Sequence, residues 1–320
     1  MKIQKISNVT VIGAGTMGPR IAYRCAVSGF NVKLYDNSAE ALKKGMDQIR
    51  NWIDTKERES VLTGAEAATA RDRIGSADTM EKCLRQADLA IETVSENLDL
   101  KRRVFAEIDR LAPKHTLIAT NSSSMPCSAI AVVTGRPEKV FNINFSDPTH
   151  DMEVEIMKGQ QTANETIIAG ERFCRALGMV PIITLKEIMG FTFNRIWRAI
   201  KREALHLVDD GYSNFEDIDR AWMLCFGMPF GPFAFMDQIG LDVIRDIEMQ
   251  YYLASKDERD RPPKILEDLV AEGRLGTKTG KGFYSYPDPV YNDRRWLLKQ
   301  TPFDEGLASR LGLSKEVVEE

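Results

Sequence analysis

The sequence predicts an α/β domain built on a parallel sheet, followed by a smaller all-helical domain. Three observations carry that prediction. Short β-branched apolar runs alternate with amphipathic stretches through the first half of the chain. A glycine-rich turn joins the first of these runs to the helical pattern after it. From residue 193 to about 272, β-branched runs nearly vanish and long helical patterns take their place.

The elements follow in order. "NVTVIGAG" reads as a strand ending in glycine, "MGPRIAYRCAVSGF" as an amphipathic helix and "NVKLYD" as a second strand, which together make a βαβ unit. Residues 38–74 carry helical spacing broken at "LTGAEAA", where Thr63 can cap a new helix with Glu66 three residues on. The segment is expected to be a helix pair, near residues 40–75, projecting from the sheet. "ADLAIETV" and "HTLIATNSSS" are the next strands, separated by a helix around residues 100–111, and "KVFNINF" and "MEVEIM" then alternate in strand fashion. The domain boundary is expected at 188, giving domains of 1–188 and 189–320. "GRLGTKTGKGFYSYPDP" reads as an ordered loop or tail of the second.

Composition narrows the function. The 320 residues, 43% hydrophobic and 28% charged, suit a soluble two-domain protein. A formal net charge of −4 and the lack of a basic stripe with interleaved aromatics argue against nucleic acid as a partner. Cys25, Cys83, Cys127, Cys174 and Cys225 are widely spaced among apolar neighbours and read as buried, reduced thiols. The first apolar run is interrupted by glycines too soon for a signal core, and no later run is long enough to span a bilayer. A cytoplasmic protein without membrane partners is expected. No His/Cys cluster or acidic loop has ligand spacing, so no metal is expected.

"GAGTMG" sets Gly13, Gly15 and Gly18 at G-x-G-x-x-G spacing around Thr16 and Met17, between the first strand and its helix. Glycine there allows a tight turn, close backbone approach to a pyrophosphate and close helix-on-strand packing, with the anion at the helix N-terminus. Asp36 ends the next strand, where a carboxylate accepts from ribose hydroxyls. The pattern is that of a Rossmann-like dinucleotide site. Asp36, followed by Asn37 and not arginine, favours NAD over NADP, because a carboxylate repels a 2′-phosphate.

"NVTVIGAGTMGPRIA", "ADLAIETVSENLDLKRRVFAEID", "TNSSSMP", "GFTFNRIWRAIKREALHLVDDG", "EDIDRAW", "GMPFGPFAFMDQIGLD" and "KTGKGFYSY" stand in the order and spacing of the L-3-hydroxyacyl-CoA dehydrogenase superfamily. The chain resembles that family from about residue 7 to 287. "REALHLV" and "DPTH" look most like its branch of lambda-crystallin, L-gulonate 3-dehydrogenase and carnitine dehydrogenase, which act on small hydroxy acids. The resemblance implies that Glu96 and Lys101 hold the nicotinamide ribose side of the cofactor and that Lys278 adds a further cofactor contact. It also implies that Ser123 meets substrate and nicotinamide, and that Asn194 reaches the substrate oxygen.

The same resemblance raises a question at "FNINFSDPTHDMEVEIM". The family carries H-x-F-N-P there, with a histidine that takes the hydroxyl proton and a glutamate 12 residues later that orients it. Aligned on Pro148, Asp147 falls at the family asparagine, a cofactor-side position, and Asn144 at the histidine. The interval from Asn121 to Asn144 supports this placement. Either Glu155 keeps the orienting role or Ile156 has replaced the glutamate. An amide neither gains nor loses a proton near neutrality, so Asn144 can donate a hydrogen bond but cannot be a general base. Several readings stay open: His150 takes the proton with Asp147 or Asp151 as partner; the chemistry needs no such base, as in a lyase, isomerase or dehydratase that retains NAD; water mediates base catalysis or the enzyme is slow; or the chain binds NAD without catalysis. His115 reads as a surface residue and His206 as a packing one.

The expected partners are a small hydroxy acid or an acyl-CoA, and a second copy of the chain. Trp197, Trp222, Met223, Phe226, Phe230, Phe233 and Phe235 make the helical domain unusually aromatic. They would line either a homodimer contact or an intramolecular core.

Overall fold

The computed structural model describes residues 3–299. The first unit is an eight-stranded sheet in the order β3-β2-β1-β4-β5-β6-β7-β8. Its first half runs β1 (Asn8–Ile12), α1 (Met17–Val27), β2 (Asn31–Tyr35), α2 (Ala39–Arg58), α3 (Gly64–Arg73), β3 (Ile74–Ser76), α4 (Met80–Leu84) and β4 (Leu89–Glu92). Then follow α5 (Leu98–Leu111), β5 (Leu117–Thr120), α6 (Cys127–Ala131), β6 (Val140–Phe145), β7 (Glu153–Met157), α7 (Asn164–Ala176) and β8 (Val180–Thr184). Strands β1 to β6 pair in parallel; β7 runs antiparallel to β6, and β8 parallel to β7.

The central strands are buried on both faces, as their nearly unbroken apolar runs require. One face packs Ile21, Ile49, Ile53 and Phe173 from α1, α2 and α7; the other packs Leu84, Phe105, Ile108 and Ile130 from α4, α5 and α6. The chain winds from β1 outward to β3 and then returns to lay β4 on the other side of β1. That reversal opens a crevice at the carboxyl ends of β1 and β4, where ligands of such sheets bind.

The helix pair α2–α3 carries the reciprocal cap between Thr63 and Glu66 that the sequence signals. Ile49, Ile53, Ala67 and Ala70 bury one face of the pair in the core shared with α1, so only its other face projects. Strands β3 and β8 go beyond the sequence expectation. With three residues, β3 is too short to show a period, and Pro181 disguises β8. Proline is tolerated in β8 because it is an edge strand, paired only with β7.

By its contacts the chain divides between Arg195 and Ile196, where the sequence placed the boundary at 188. The difference has a local cause: Thr192 and Phe193 donate their N–H groups to Glu155 in β7, both at 2.9 Å, tying the segment to the sheet.

The helical unit comprises most of α8 (Phe193–Asp209), then α9 (Phe215–Phe226), α10 (Pro232–Ile239), α11 (Leu241–Ser255), α12 (Lys264–Ala271) and α13 (Arg294–Leu297). Its core gathers Leu205, Met223, Phe233, Met236, Ile244, Leu266 and Tyr284. Of the aromatic set, Met223 and Phe233 are core, Phe230 stacks on Phe235, and Phe226 is 65% exposed. Cys225 corrects the expectation for the cysteines: it lies on the outward face of α9 and is exposed, whereas the other four are buried.

Two buried carboxylates brace this unit. Asp219 on α9 accepts the N–H groups of Phe233 and Ala234 at the start of α10, at 2.9 and 3.0 Å, and the Tyr284 hydroxyl at 2.9 Å. Asp237, near the end of α10, accepts the N–H groups of Phe283 and Tyr284, both at 2.9 Å, and the Tyr286 hydroxyl at 3.0 Å. The lysine- and glycine-rich tail is thereby fastened to α10. Removing the acceptor leaves buried donors unpaired, each costing about 1–3 kcal/mol. Asp237→Ala is expected to destabilise the protein by roughly 3 kcal/mol or more in urea titration; a loss below about 1 kcal/mol would show that the tail is held by other contacts.

Candidate active site

The cofactor turn is built by exclusion of side-chain volume. Gly13 leaves β1 at φ +108°, in the region that favours glycine, and donates its N–H to Tyr35 O at 2.8 Å. At Gly18 an added Cβ would lie 1.8 Å from Gly13 O, so only glycine lets α1 approach the end of β1 this closely. At Gly15 an added Cβ would meet nothing within 4 Å, so backbone there faces open space. Thr16 precedes α1 without capping it by its side chain, and no acidic residue occupies the first turn. These features leave backbone N–H groups available to a pyrophosphate.

Asp36 holds the turn from the neighbouring strand. Its Oδ2 accepts from Ala14 N at 2.7 Å and its Oδ1 from Ser38 N at 2.8 Å. A cleft of about 900 Å³ runs from Asp36 and Asn37, past Gly13, Thr16 and Met17, to Glu96 and Ser123 at the ends of β4 and β5. Its size and its open glycine cradle fit a dinucleotide. The residues that would hold NAD there are the glycine turn, Asp36 and the groups at the β4 and β5 ends.

Glu96 and Lys101 both line this cleft, yet they are not alike. Glu96 reaches solvent, whereas Lys101 is 1% exposed. The Lys101 Nζ lies 2.7 Å from Glu92 Oε1, 3.2 Å from Val94 O and 3.2 Å from Glu96 Oε2. Its ammonium is therefore already committed to protein acceptors. Sequence reasoning missed Glu92. A charge at the end of the otherwise apolar, fully buried strand "LAIE" was the available signal, because a buried carboxylate needs a partner.

Strands β6 and β7 pair in a defined register. Asn144 on β6 stands directly opposite Glu155 on β7, and Ile156 stands opposite Ile143, both of them in the core. In antiparallel pairing directly opposed residues share a face, so Glu155 and not Ile156 shares the face of Asn144. Glu155 is 3% exposed; its Oε1 receives the two N–H groups that open α8, and its Oε2 has no hydrogen-bond partner among the described residues. Asn194 follows immediately in that first turn. Burial and the neighbouring carboxylates of Glu155 and Asp151 push Glu153 above the usual glutamate range.

The loop after β6 is closed on itself. Asp147 Oδ1 accepts from Thr149 N and Oγ1 at 3.0 and 2.6 Å, its Oδ2 pairs with Arg20 at 2.9 Å, and its N–H donates to Asp151 Oδ2 at 2.9 Å. Neither aspartate therefore partners the His150 ring, which is exposed and makes no hydrogen bond among the described residues. Asn144, Asp147, His150, Glu155 and Asn194 are not among the residues lining the 900 Å³ cleft, which Ser123 does line. Lys278 lies in the helical unit with Nζ 2.6 Å from Asp242 Oδ2. His115 is a surface residue 3.3 Å from Asp88, and His206 Nε2 lies 3.1 Å from Arg259 O.

A reversed parallel sheet with this glycine cradle and a carboxylate at the end of β2 defines a dinucleotide-binding protein of the NAD class. Comparison with known proteins makes the assignment particular. Residues 8–188 match the 3-hydroxyacyl-CoA dehydrogenase NAD binding domain, and residues 190–286 match the 3-hydroxyacyl-CoA dehydrogenase C-terminal domain. The chain belongs to the 3-hydroxyacyl-CoA dehydrogenase family. It is 33% identical to a probable 3-hydroxybutyryl-CoA dehydrogenase of Bacillus subtilis, over 89% of this chain and 99% of that one. It is 34% identical to the mitochondrial hydroxyacyl-coenzyme A dehydrogenase of Homo sapiens, over 88% and 91%. The crystal structure of (S)-3-hydroxybutyryl-CoA dehydrogenase from Ralstonia eutropha superimposes with a TM-score of 0.81 at 35% identity, over 89% of this chain and all of that one.

Asp36→Ala removes the acceptor that steadies Ala14 and the carboxylate expected to meet the ribose hydroxyls. It is expected to weaken NAD binding roughly tenfold or more and to narrow the preference for NAD over NADP, measured by calorimetric titration with each. An unchanged NAD affinity would remove Asp36 from the site.

Proposed function

We propose that this chain oxidises the hydroxyl of a 3-hydroxyacyl substrate, with Glu155 receiving the proton that the family's histidine would take. Bound in the cleft, NAD supplies the hydride acceptor. Ser123 and Asn194 would orient the substrate oxygen, and Asn144 would donate a hydrogen bond to it. The observation that carries this reading is the pairing of Asn144 with Glu155 across β6 and β7, with one carboxylate oxygen held by two N–H groups and the other without a hydrogen-bond partner among the described residues. His150 is the weaker candidate because its ring is exposed and no carboxylate among the described residues orients it.

The names of the relatives favour a CoA thioester. The small hydroxy acids of the lambda-crystallin, L-gulonate 3-dehydrogenase and carnitine dehydrogenase branch are the finer alternative. On the α2–α3 pair, Arg71 is paired with Asp54 and Glu57, and Lys56 with Glu59 at 2.7 Å, which leaves fewer cations for adenosine phosphates and supports that alternative. A second reading, in which hydride leaves and returns within one lyase, isomerase or dehydratase cycle, is favoured by Asn144 alone, since an amide is no base. We further propose a cytoplasmic homodimer. Four free buried thiols suit a reducing compartment. Leu224, Phe226, Met228 and Leu253, all exposed on the helical unit, suit a subunit contact.

Absorbance at 340 nm with a panel of 3-hydroxyacyl-CoA thioesters and small 3-hydroxy acids distinguishes these readings. Net NADH is expected with at least one substrate; none, with NAD retained through purification, would favour the cycle without net redox. Glu155→Gln is expected to abolish turnover and His150→Ala to leave it within about twofold, while Asn144→His restores an imidazole, raises the rate by about 10²–10⁴ and adds an acidic limb near pH ~6.5. If His150→Ala removes the activity and its acidic limb, the base is His150. Sedimentation at micromolar concentration is expected to give a dimer, and a monomer would refute the subunit contact.

A further inference from the structure

At the β4 end of the cofactor cleft Lys101 is paired with Glu92, a buried carboxylate to which the family resemblance gives no role. Glu92 ends β4 fully buried, and its carboxylate is saturated: Oε1 takes Val94 N and Lys101 Nζ, both at 2.7 Å, and Oε2 takes the Thr120 hydroxyl at 2.7 Å. Lys101, from α5, is equally buried and reaches past Glu92 to Glu96 Oε2 at 3.2 Å. Glu96 also accepts the Ser122 and Ser124 hydroxyls through Oε1, the second at 2.6 Å. Burial would raise the Glu96 carboxyl, but the two hydroxyls and the Lys101 ammonium outweigh it and hold it below the usual glutamate range.

Stability alone does not explain the arrangement. A buried ion pair commonly does no better than well-packed apolar residues of similar volume. The arithmetic of charge does explain it, because two carboxylates share one ammonium. Without Glu92, Lys101 would neutralise Glu96. With Glu92 opposite it, the ammonium is cancelled in the interior and Glu96 keeps its charge where it lines the cleft, at the end of β4. The glycine turn and Asp36 fix the adenosine and pyrophosphate end of that cleft, so Glu96 stands at the other, nicotinamide end.

We propose that Glu92 and Lys101 are positioning residues for the cofactor, and that with Glu96 they present one net negative charge to the nicotinamide end of the cleft, favouring the oxidised form. The oxidised ring is cationic and the reduced ring is neutral, so a fixed carboxylate distinguishes them by Coulomb interaction. Glu92 thereby sets the redox preference of binding without touching the cofactor.

The test measures dissociation constants for NAD+ and NADH, by calorimetry and NADH fluorescence, in the wild type, Glu92→Gln and the double variant Glu92→Gln/Lys101→Met. Glu92→Gln makes the trio neutral and is expected to weaken NAD+ roughly three- to tenfold while moving NADH less than about twofold. The double variant removes the buried pair and leaves Glu96 charged, so the wild-type ratio of the two constants is expected to return. Equal weakening of both forms by Glu92→Gln, or a double variant that keeps the single variant's ratio, overturns the proposal. If Glu92→Gln alone does not fold, Lys101→Met decides: it leaves two carboxylates and no ammonium, so NAD+ is expected to tighten relative to NADH, and an unchanged ratio refutes the charge mechanism.

Discussion

The structure of the sheet domain depends on one close approach, that of α1 to the end of β1. No side chain fits at Gly18, where a Cβ would fall 1.8 Å from Gly13 O. That contact brings the helix start to the crevice between β1 and β4. Asp36 then ties the turn to β2 through Ala14 N, and Thr93 ties it to the end of β4 through hydrogen bonds to Ile12 O and Gly13 O at 3.2 and 3.0 Å. Three strands are thus referenced to one glycine turn, and the N–H groups at the start of α1, the Asp36 carboxylate and the Glu92 network share a common frame.

A second pattern recurs through the chain: buried carboxylates fasten local turns by accepting backbone N–H groups. Glu92 holds Val94, Glu155 holds the opening of α8, Asp219 holds the start of α10, and Asp237 holds the tail at Phe283 and Tyr284. Each has the same logic, since a buried charge is tolerable only when donors surround it. Small residues make room for two of them: a Cβ at Gly231 would lie 2.4 Å from the Asp219 carboxyl, and one at Gly282 would lie 2.0 Å from Asp237 Oδ1. Glycines that read in sequence only as turn markers are spacers for carboxylates here.

Much of the fold was legible because it rests on local signals. The G-x-G-x-x-G turn, the Thr63–Glu66 cap and the apolar runs of β1, β4 and β5 each record a physical requirement within a few residues. What stayed hidden depended on distant partners. Pro181 argues against a strand until β8 is known to be an edge. Cys225 has apolar neighbours in sequence, yet α9 turns them outward. The commitment of Lys101 to Glu92 could not be read from a motif that also places lysine beside the cofactor, although a glutamate in an apolar strand pointed to a buried pair.

The pairing of β6 with β7 shows where counting residues stops being informative and geometry takes over. The interval from Asn144 to Glu155 is one residue shorter than the family spacing, and in sequence that leaves Glu155 and Ile156 as rivals. Pairing sets the two on opposite faces, because a one-residue slip would send every side chain of β7 to the other face. Ile156 is held opposite Ile143 in the apolar core, and a glutamate there would be buried without donors. Glu155, by contrast, finds two N–H groups waiting at the start of α8. A buried carboxylate thus stands opposite Asn144, held through Oε1 by the backbone that opens α8, and this is the geometry on which the proposed role of Glu155 rests.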